Sequence, residues 1–201
     1  MQTANAGFIV SVIVIYKLFY SAEMVYLLSG AKFGFPQRKV LPENLLRKCR
    51  NQDWSGLQIW SGLVEGNGVF AQEHFVKNTP LCNYGGVQLT SNYAEKYLLP
   101  FEDKCDYVLE LREMTDNGIK HIYLNCNPTG SKTYGQLLNH SSLHPYAITK
   151  IYATGKNKLD VIFVAKCDIT VDEEIVWDYG KNYTGVNPCV TSCFKCKNVK
   201  K

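Results

Sequence analysis

Residues 134–141, Tyr-Gly-Gln-Leu-Leu-Asn-His-Ser, constrain this chain more than any other stretch, because a compact polar triplet follows directly on an apolar turn. Tyr134, Leu137 and Leu138 have the i, i+3, i+4 spacing of one helical face. This predicts a short buried helix whose end carries Asn139, His140 and Ser141 into the interior. Buried polar side chains require partners. The plainest account is a helix end whose last carbonyls are satisfied by Asn139 and Ser141, with His140 a neighbour. Three further stretches argue for more: Gly66-Asn67-Gly68 and Tyr84-Gly85-Gly86 upstream, and Glu-Glu-Ile-Val-Trp-Asp-Tyr-Gly over residues 173–180 downstream. Taken singly each has an ordinary reading, Asn67-Gly68 as the centre of a tight hairpin and Glu173-Glu174 as an acidic turn entering a strand.

With 201 residues, 46% hydrophobic and 20% charged, the chain suits one domain with a short appendage and can build a sizeable core. The net charge of +4 is mild. Lys195, Lys197, Lys200 and Lys201 crowd the last seven residues, either as a solvated tail or as a hold on an acidic partner. Of eight cysteines, Cys49, Cys82, Cys105, Cys126 and Cys167 are scattered, several in apolar runs where a free thiol packs as a small hydrophobe. Cys189, Cys193 and Cys196 cluster near the end.

Residues 7–28 are long enough to span a bilayer but carry Lys17 and Glu23. Each charge near mid-membrane costs roughly 2.5–3.5 kcal/mol on the insertion scale. The uninterrupted run 7–16 has the length of a signal-peptide core, yet no Lys or Arg precedes it and no small-residue cleavage site follows promptly. A weak anchor, an inefficient signal and a packing helix remain open. Residues 30–42 read as a Gly/Pro-punctuated linker, and 43–50 as a short helix entered at Pro42. Strands are predicted at 57–60, 69–71, 81–84, 107–111, 121–124, 151–153 and 161–165. A helix at 91–99 interrupts them, and Gly155-Lys156-Asn157 turns a hairpin. Short strands with few helices exclude a doubly wound nucleotide-binding sheet. Asn139 and Asn182 begin glycosylation acceptor patterns, although Asn139 is expected to be buried.

In their order along the chain, Gly66-Asn67-Gly68, Tyr84-Gly85-Gly86, Leu138-Asn139-His140-Ser141 and Asp178-Tyr179-Gly180 resemble the SET-domain protein lysine methyltransferases over residues 57–180. The compact arrangement looks most like the histone lysine monomethyltransferases. The resemblance implies an α+β, mostly β fold of small sheets, with the Asn139–His140 segment threaded into a C-terminal pseudoknot. Its organisation would be an apolar segment at 1–29, a linker and short helix at 30–56, the SET domain at 57–180, and a cysteine- and lysine-bearing tail at 181–201. It also implies S-adenosylmethionine as methyl donor, held by the backbone of Gly66, Asn67 and Gly68 and by Asn139 and His140. Tyr84 and Tyr179 would line a lysine channel, and Trp177 occupies a position where the family usually has Tyr or Phe and which is associated with the number of methyl groups admitted. Gln136 stands where many members carry Arg.

Family members often bind zinc in this tail through three cysteines and a fourth beside Asn-His-Ser. Here Cys189, Cys193 and Cys196 would be ligands, Ser142 replaces the fourth, and His144 is a candidate to complete the set. Expected partners are a histone tail or another lysine-containing protein, with nucleosome contact and a nuclear location following from the resemblance. Membrane association stays open through residues 7–28. Two alternatives remain: a SET-like module that binds a partner without turnover, and a secreted or membrane-tethered disulfide protein.

Overall fold

The computed structural model describes residues 9–12, 39–63, 66–100, 107–115, 118–126 and 133–180. Helix α1 (Glu43–Asn51) starts after Pro42, whose φ of −55° suits a helix entrance, and ends at Gln52 in the left-handed region with its N–H donating to the Lys48 carbonyl. Strands β2 (Leu57–Leu63) and β3 (Gly66–Ala71) form an antiparallel pair. Asn67 lies opposite Ser61 and Gly68 opposite Trp60, so these two residues sit inside β3 and not at the centre of the turn. Strand β4 (Pro80–Asn83) is followed by β5 (Val87–Thr90), a strand without a clear sequence signal, and by helix α2 (Ser91–Tyr97). Thr90 caps α2 by accepting from the Tyr93 N–H at 3.4 Å.

Strands β6 (Val108–Thr115) and β7 (Gly118–Asn125) pair with each other. With β5 and a first strand, β1 (Ile9–Val12), they make a four-stranded sheet in the order β1-β6-β7-β5. The packing-helix reading therefore fails at Ile9–Val12, which are extended and hydrogen-bonded along β6. The remainder of residues 7–28 lies outside the described residues, among which no helix is long and apolar enough to cross a membrane. Strands β8 (Ala147–Gly155) and β9 (Lys158–Ala165) form the predicted hairpin, with Asn157 at φ 60° in the turn. They join β4 in a three-stranded sheet ordered β4-β9-β8.

Strand β9 explains its own composition. Val161 to Ala165 are all buried, because β9 is the central strand and is covered on both faces. The main core gathers Leu81, Cys82, Leu109, Leu111, Leu124, Leu138, Phe163, Ile169 and Ile175. It also takes in Leu41, Cys49 and Trp54, so the segment before Leu57 packs into the same interior. A smaller cluster under α2 contains Ala94, Leu98, Val108 and Tyr123. On that sheet face Glu110 is buried, and its carboxylate is matched by Arg112 at 2.9 Å and His121 at 2.5 Å. Cys49, Cys82, Cys126 and Cys167 are free, and no disulfide joins cysteines among the described residues.

The C-terminal described segment is threaded, not laid on the surface. Glu174 bridges to Phe70, and the Ile175 N–H donates to the Val69 carbonyl, fixing the segment along β3. Trp177 then pairs in parallel with His140 on one side and with Ala147 on the other. The chain from 141 to 146 loops around this crossing, which makes the pseudoknot implied by the resemblance. The predicted buried helix is a single 3-10 turn, Gly135–Leu137, with Leu137 and Leu138 buried beneath it. Gly135 is required there by close approach: a Cβ would stand 2.3 Å from the Asn83 carbonyl oxygen and 2.8 Å from the Phe163 ring. Gly135→Ala is therefore expected to destabilise the protein by about 1–3 kcal/mol, because a backbone atom cannot swing aside as a side chain can. Chemical denaturation with an unchanged m-value checks this.

Candidate active site

The threaded crossing brings Asn67, Gly68, Asn139, His140, Trp177 and Tyr179 together. Asn139 uses its amide Nδ2 twice, donating to the Asn67 carbonyl at 3.0 Å and to Glu174 Oε1 at 2.8 Å. This side chain thus ties the 3-10 turn to both β3 and the C-terminal segment. It also explains Gly68, where a Cβ would lie 2.6 Å from Leu63 Cδ1, 2.7 Å from Glu174 Oε1 and 3.2 Å from Asn139 Nδ2. Gly66 differs: its φ is +93° and nothing stands within 4 Å of a Cβ placed there. Of the two glycines, only Gly66 borders open space.

His140 accepts from the Tyr179 N–H through Nδ1 at 3.1 Å, which identifies Nδ1 as the unprotonated nitrogen in this contact. Burial pulls its pKa below the usual 6.5, against smaller upward pulls from Asp178 and from a backbone hydrogen bond with Trp177. The Tyr179 hydroxyl donates to the Leu138 carbonyl at 2.6 Å. Its proton is committed to that carbonyl, so the phenolic lone pairs are its remaining polar capacity.

Tyr84 is 4% exposed. Its N–H donates to the Val161 carbonyl at 2.8 Å, while its own carbonyl accepts from Thr133 Oγ1 at 2.7 Å and Cys126 Sγ at 3.4 Å. Desolvation pushes its phenol pKa well above 10, reinforced by Cys126, Tyr179 and Tyr107 nearby, so the ring is neutral. Between Tyr84 and Tyr179 the aromatic rings form an unbroken chain. Centroid distances are 6.5 Å from Tyr84 to Phe163, 5.0 Å from Phe163 to Trp177, 5.0 Å from Trp177 to Tyr179 and 5.0 Å from Tyr179 to His140. Trp177 is 4% exposed and meets Phe163 edge-on at 67°.

Sequence reasoning sees Phe163 only as part of an apolar strand, and no local signal separates it from Val161 or Val164. It also misses Asn83 and Asp160, although Asp160 is the sole charged residue in the apolar run Leu159 to Ala165. Gln136 is buried. Ser142 and His144 are exposed. Cys189, Cys193 and Cys196, with Asn182, lie outside the described residues, among which no group of three or more metal-ligating side chains occurs. Asn139, expected to be buried, is half-buried, with both amide hydrogens engaged by protein.

The SET domain family model matches residues 66–180, more than half of the chain. A probable histone-lysine N-methyltransferase of Caenorhabditis briggsae, set-23, is 28% identical over 124 residues, covering 62% of this chain and 50% of the relative. Putative histone-lysine N-methyltransferase 1 of Plasmodium falciparum is 27% identical over 126 residues, 61% of this chain but 2% of that protein. The chain thus spans half or less of the curated relatives it matches. Among solved structures, CpSET8 of Cryptosporidium superposes with a TM-score of 0.53 at 24% identity, covering 71% of this chain and 68% of that one. The methyltransferase domain of human SETMAR gives 0.51 at 23% identity, covering 65% and 46%. Both share the fold.

The lowered His140 pKa carries a stability consequence of definite sign. The unfolded imidazole takes up its proton near 6.5 and the folded one only at lower pH, so the contribution is intact above 6.5 and is lost as pH falls through the folded value. Thermal unfolding from about pH 7.5 to 5 should show wild-type Tm declining more steeply than that of His140→Gln. Equal slopes would contradict a buried neutral His140.

Proposed function

Because this chain belongs to the SET domain family, we propose that it is a protein lysine methyltransferase, transferring methyl from S-adenosylmethionine to a lysine side chain of a histone or another protein. The observation that carries this reading is the chain of rings from Tyr84 through Phe163, Trp177 and Tyr179 to His140, which forms one largely buried aromatic wall. The relatives named as histone-lysine methyltransferases support a protein lysine as the acceptor, and a nuclear location is part of this proposal.

Bound S-adenosylmethionine supplies an activated methyl group on a sulfonium. The residues present fit such a molecule: nothing stands within 4 Å of a Cβ placed on Gly66, so a cofactor could approach the backbone of Gly66, Asn67 and Gly68 closely. Asn139 and His140 would hold it from the other side. Methyl transfer to an amine is an in-line displacement, so the protein contributes alignment more than chemistry, and no nucleophilic side chain is needed. The acceptor lysine must be neutral, and its ordinary pKa is about 10.4. A channel lined by the neutral rings of Tyr84 and Tyr179 disfavours the ammonium through desolvation. The Tyr179 oxygen, its own O–H donating to the Leu138 carbonyl, would accept from the amine or from polarised methyl C–H groups.

The indole of Trp177 packs between Phe163 and Tyr179, and in that position it would narrow the channel beside the amine and favour a single methyl addition.

Incubation with radiolabelled S-adenosylmethionine and core histones, nucleosomes or total cell protein tests the reading. Label is expected on a lysine with the wild type, and Tyr179→Phe should reduce transfer by at least about a hundredfold. Donor binding with no transfer to any acceptor would favour a binding module instead. Product mass spectrometry should show monomethyl-lysine; trimethyl product would refute the role given to Trp177.

A further inference from the structure

A one-way hydrogen-bond relay enters the candidate channel from a segment that precedes residue 66, where the family match begins. Trp54 Nε1 and Gln52 Nε2 both donate to Asn83 Oδ1, at 3.2 and 2.8 Å. Asn83 Nδ2 donates to Asp160 Oδ2 at 2.7 Å. Asp160 Oδ1 accepts from the Gly85 N–H at 3.1 Å and from the Val161 N–H at 2.8 Å. Val161 in turn offers its carbonyl to the Tyr84 N–H at 2.8 Å. The relay therefore grips the residues immediately before and after Tyr84.

The direction of this relay is chemically fixed. An indole N–H only donates and a carboxylate only accepts, so Asn83 between them has one permitted amide orientation. Gln52 is locked as well: its Nε2 also donates to the Cys49 carbonyl at 2.7 Å, and a flipped amide would set oxygen against oxygen. The grip has a purpose at Gly85 and Gly86, whose φ values of +71° and +91° lie where glycine alone moves freely. Without an anchor, two consecutive glycines would leave the Tyr84 turn poorly determined.

We infer that Asp160 is a positioning residue for Tyr84, and that residues 52–54 are part of the channel's support although they lie before the matched domain. The inference rests on the proposed methyltransferase reading for its catalytic readout only. Burial raises the Asp160 carboxyl above the usual carboxylate range, and the bonds from Asn83, Val161 and Gly85 offset that rise only in part.

The test is a polarity swap in the full chain. In Asp160→Asn the new amide can keep one oxygen for Gly85 and Val161, but its NH2 then faces Asn83 Nδ2, donor against donor. In Asn83→Asp a second carboxylate faces Asp160. In the double variant Asn83→Asp/Asp160→Asn every donor again meets an acceptor: the carboxylate introduced at position 83 would take the bonds from Trp54 and Gln52 and a further one from the amide introduced at position 160.

Each single variant should lower kcat for methyl transfer at least about tenfold, leave KM for S-adenosylmethionine within about twofold, and speed hydrogen exchange at the Gly85 amide. The double variant should restore both kcat and Gly85 protection to within about threefold of wild type. A double variant as impaired as the sum of its singles would overturn the relay. Deprotected Gly85 with unchanged kcat would overturn the positioning role. If the wild type transfers no methyl group, the proposed function fails, and Gly85 exchange by itself decides whether the relay holds the turn.

Discussion

Everything at this site depends on one crossing, where the backbone of Val176 and Trp177 is hydrogen-bonded on both flanks. The Trp177 N–H donates to the Asn139 carbonyl at 3.0 Å and its carbonyl accepts from Ser141 at 3.0 Å, while Val176 accepts from both Tyr146 and Ala147 at 2.9 and 3.0 Å. A segment so placed cannot shift by one residue without losing these bonds and turning Trp177 out of the core. Trp177 is the wedge that makes the register decisive, since truncating a buried Trp costs about 3–5 kcal/mol. The side chains complete the lock. Glu174 reaches Asn139, Glu173 reaches the Tyr146 hydroxyl, and the Tyr179 hydroxyl reaches Leu138.

That register has an electrostatic result. It lines the interior between Tyr84 and His140 with aromatic groups whose neutral forms are favoured by burial. The buried thiols nearby behave alike: desolvation pushes Cys49 and Cys126 up to about 12 and Cys82 well beyond the ordinary 9.0. They act as small apolar spacers, not nucleophiles. Two buried carboxylates have their own partners, Glu110 in Arg112 and His121 and Asp160 in the backbone amides of Gly85 and Val161. Such an interior suits a reaction that needs an amine stripped of its proton and held in line.

The fold was legible where one local rule operated. The apolar run Val161 to Ala165 announced a strand, Gly155-Lys156-Asn157 announced its hairpin turn, and Pro42 announced the start of α1. Strand β5 was not legible: Val-Gln-Leu-Thr is too short to show alternation, and its pairing with β7 joins residues more than thirty positions apart. Asn67-Gly68 misled, because a dipeptide that favours turns was needed here inside a strand, where Asn139 and Glu174 occupy the space above Gly68. The 3-10 turn at Gly135–Leu137 kept the predicted burial but not the predicted length, since Asn83 and Phe163 approach too closely for a wider helix.

By itself, the sequence determined the short motifs and their order, Gly66-Asn67-Gly68, Tyr84-Gly85-Gly86, Asn139-His140 after an apolar turn, and Asp178-Tyr179-Gly180. Short-range chemistry gives each of these only an ordinary local reading, and the site roles expected of them came from the resemblance that their order carries. Only the tertiary structure decided that Phe163 lies between the two tyrosines in the ring chain, that Gly68 must be small because Leu63, Glu174 and Asn139 crowd it, and that Trp54 and Gln52 reach Asp160 through Asn83. The side-chain bonds of that last path join residues 29 to 77 positions apart. No local pattern encodes such contacts, because each exists only once the pseudoknot has set the register of the strands around it.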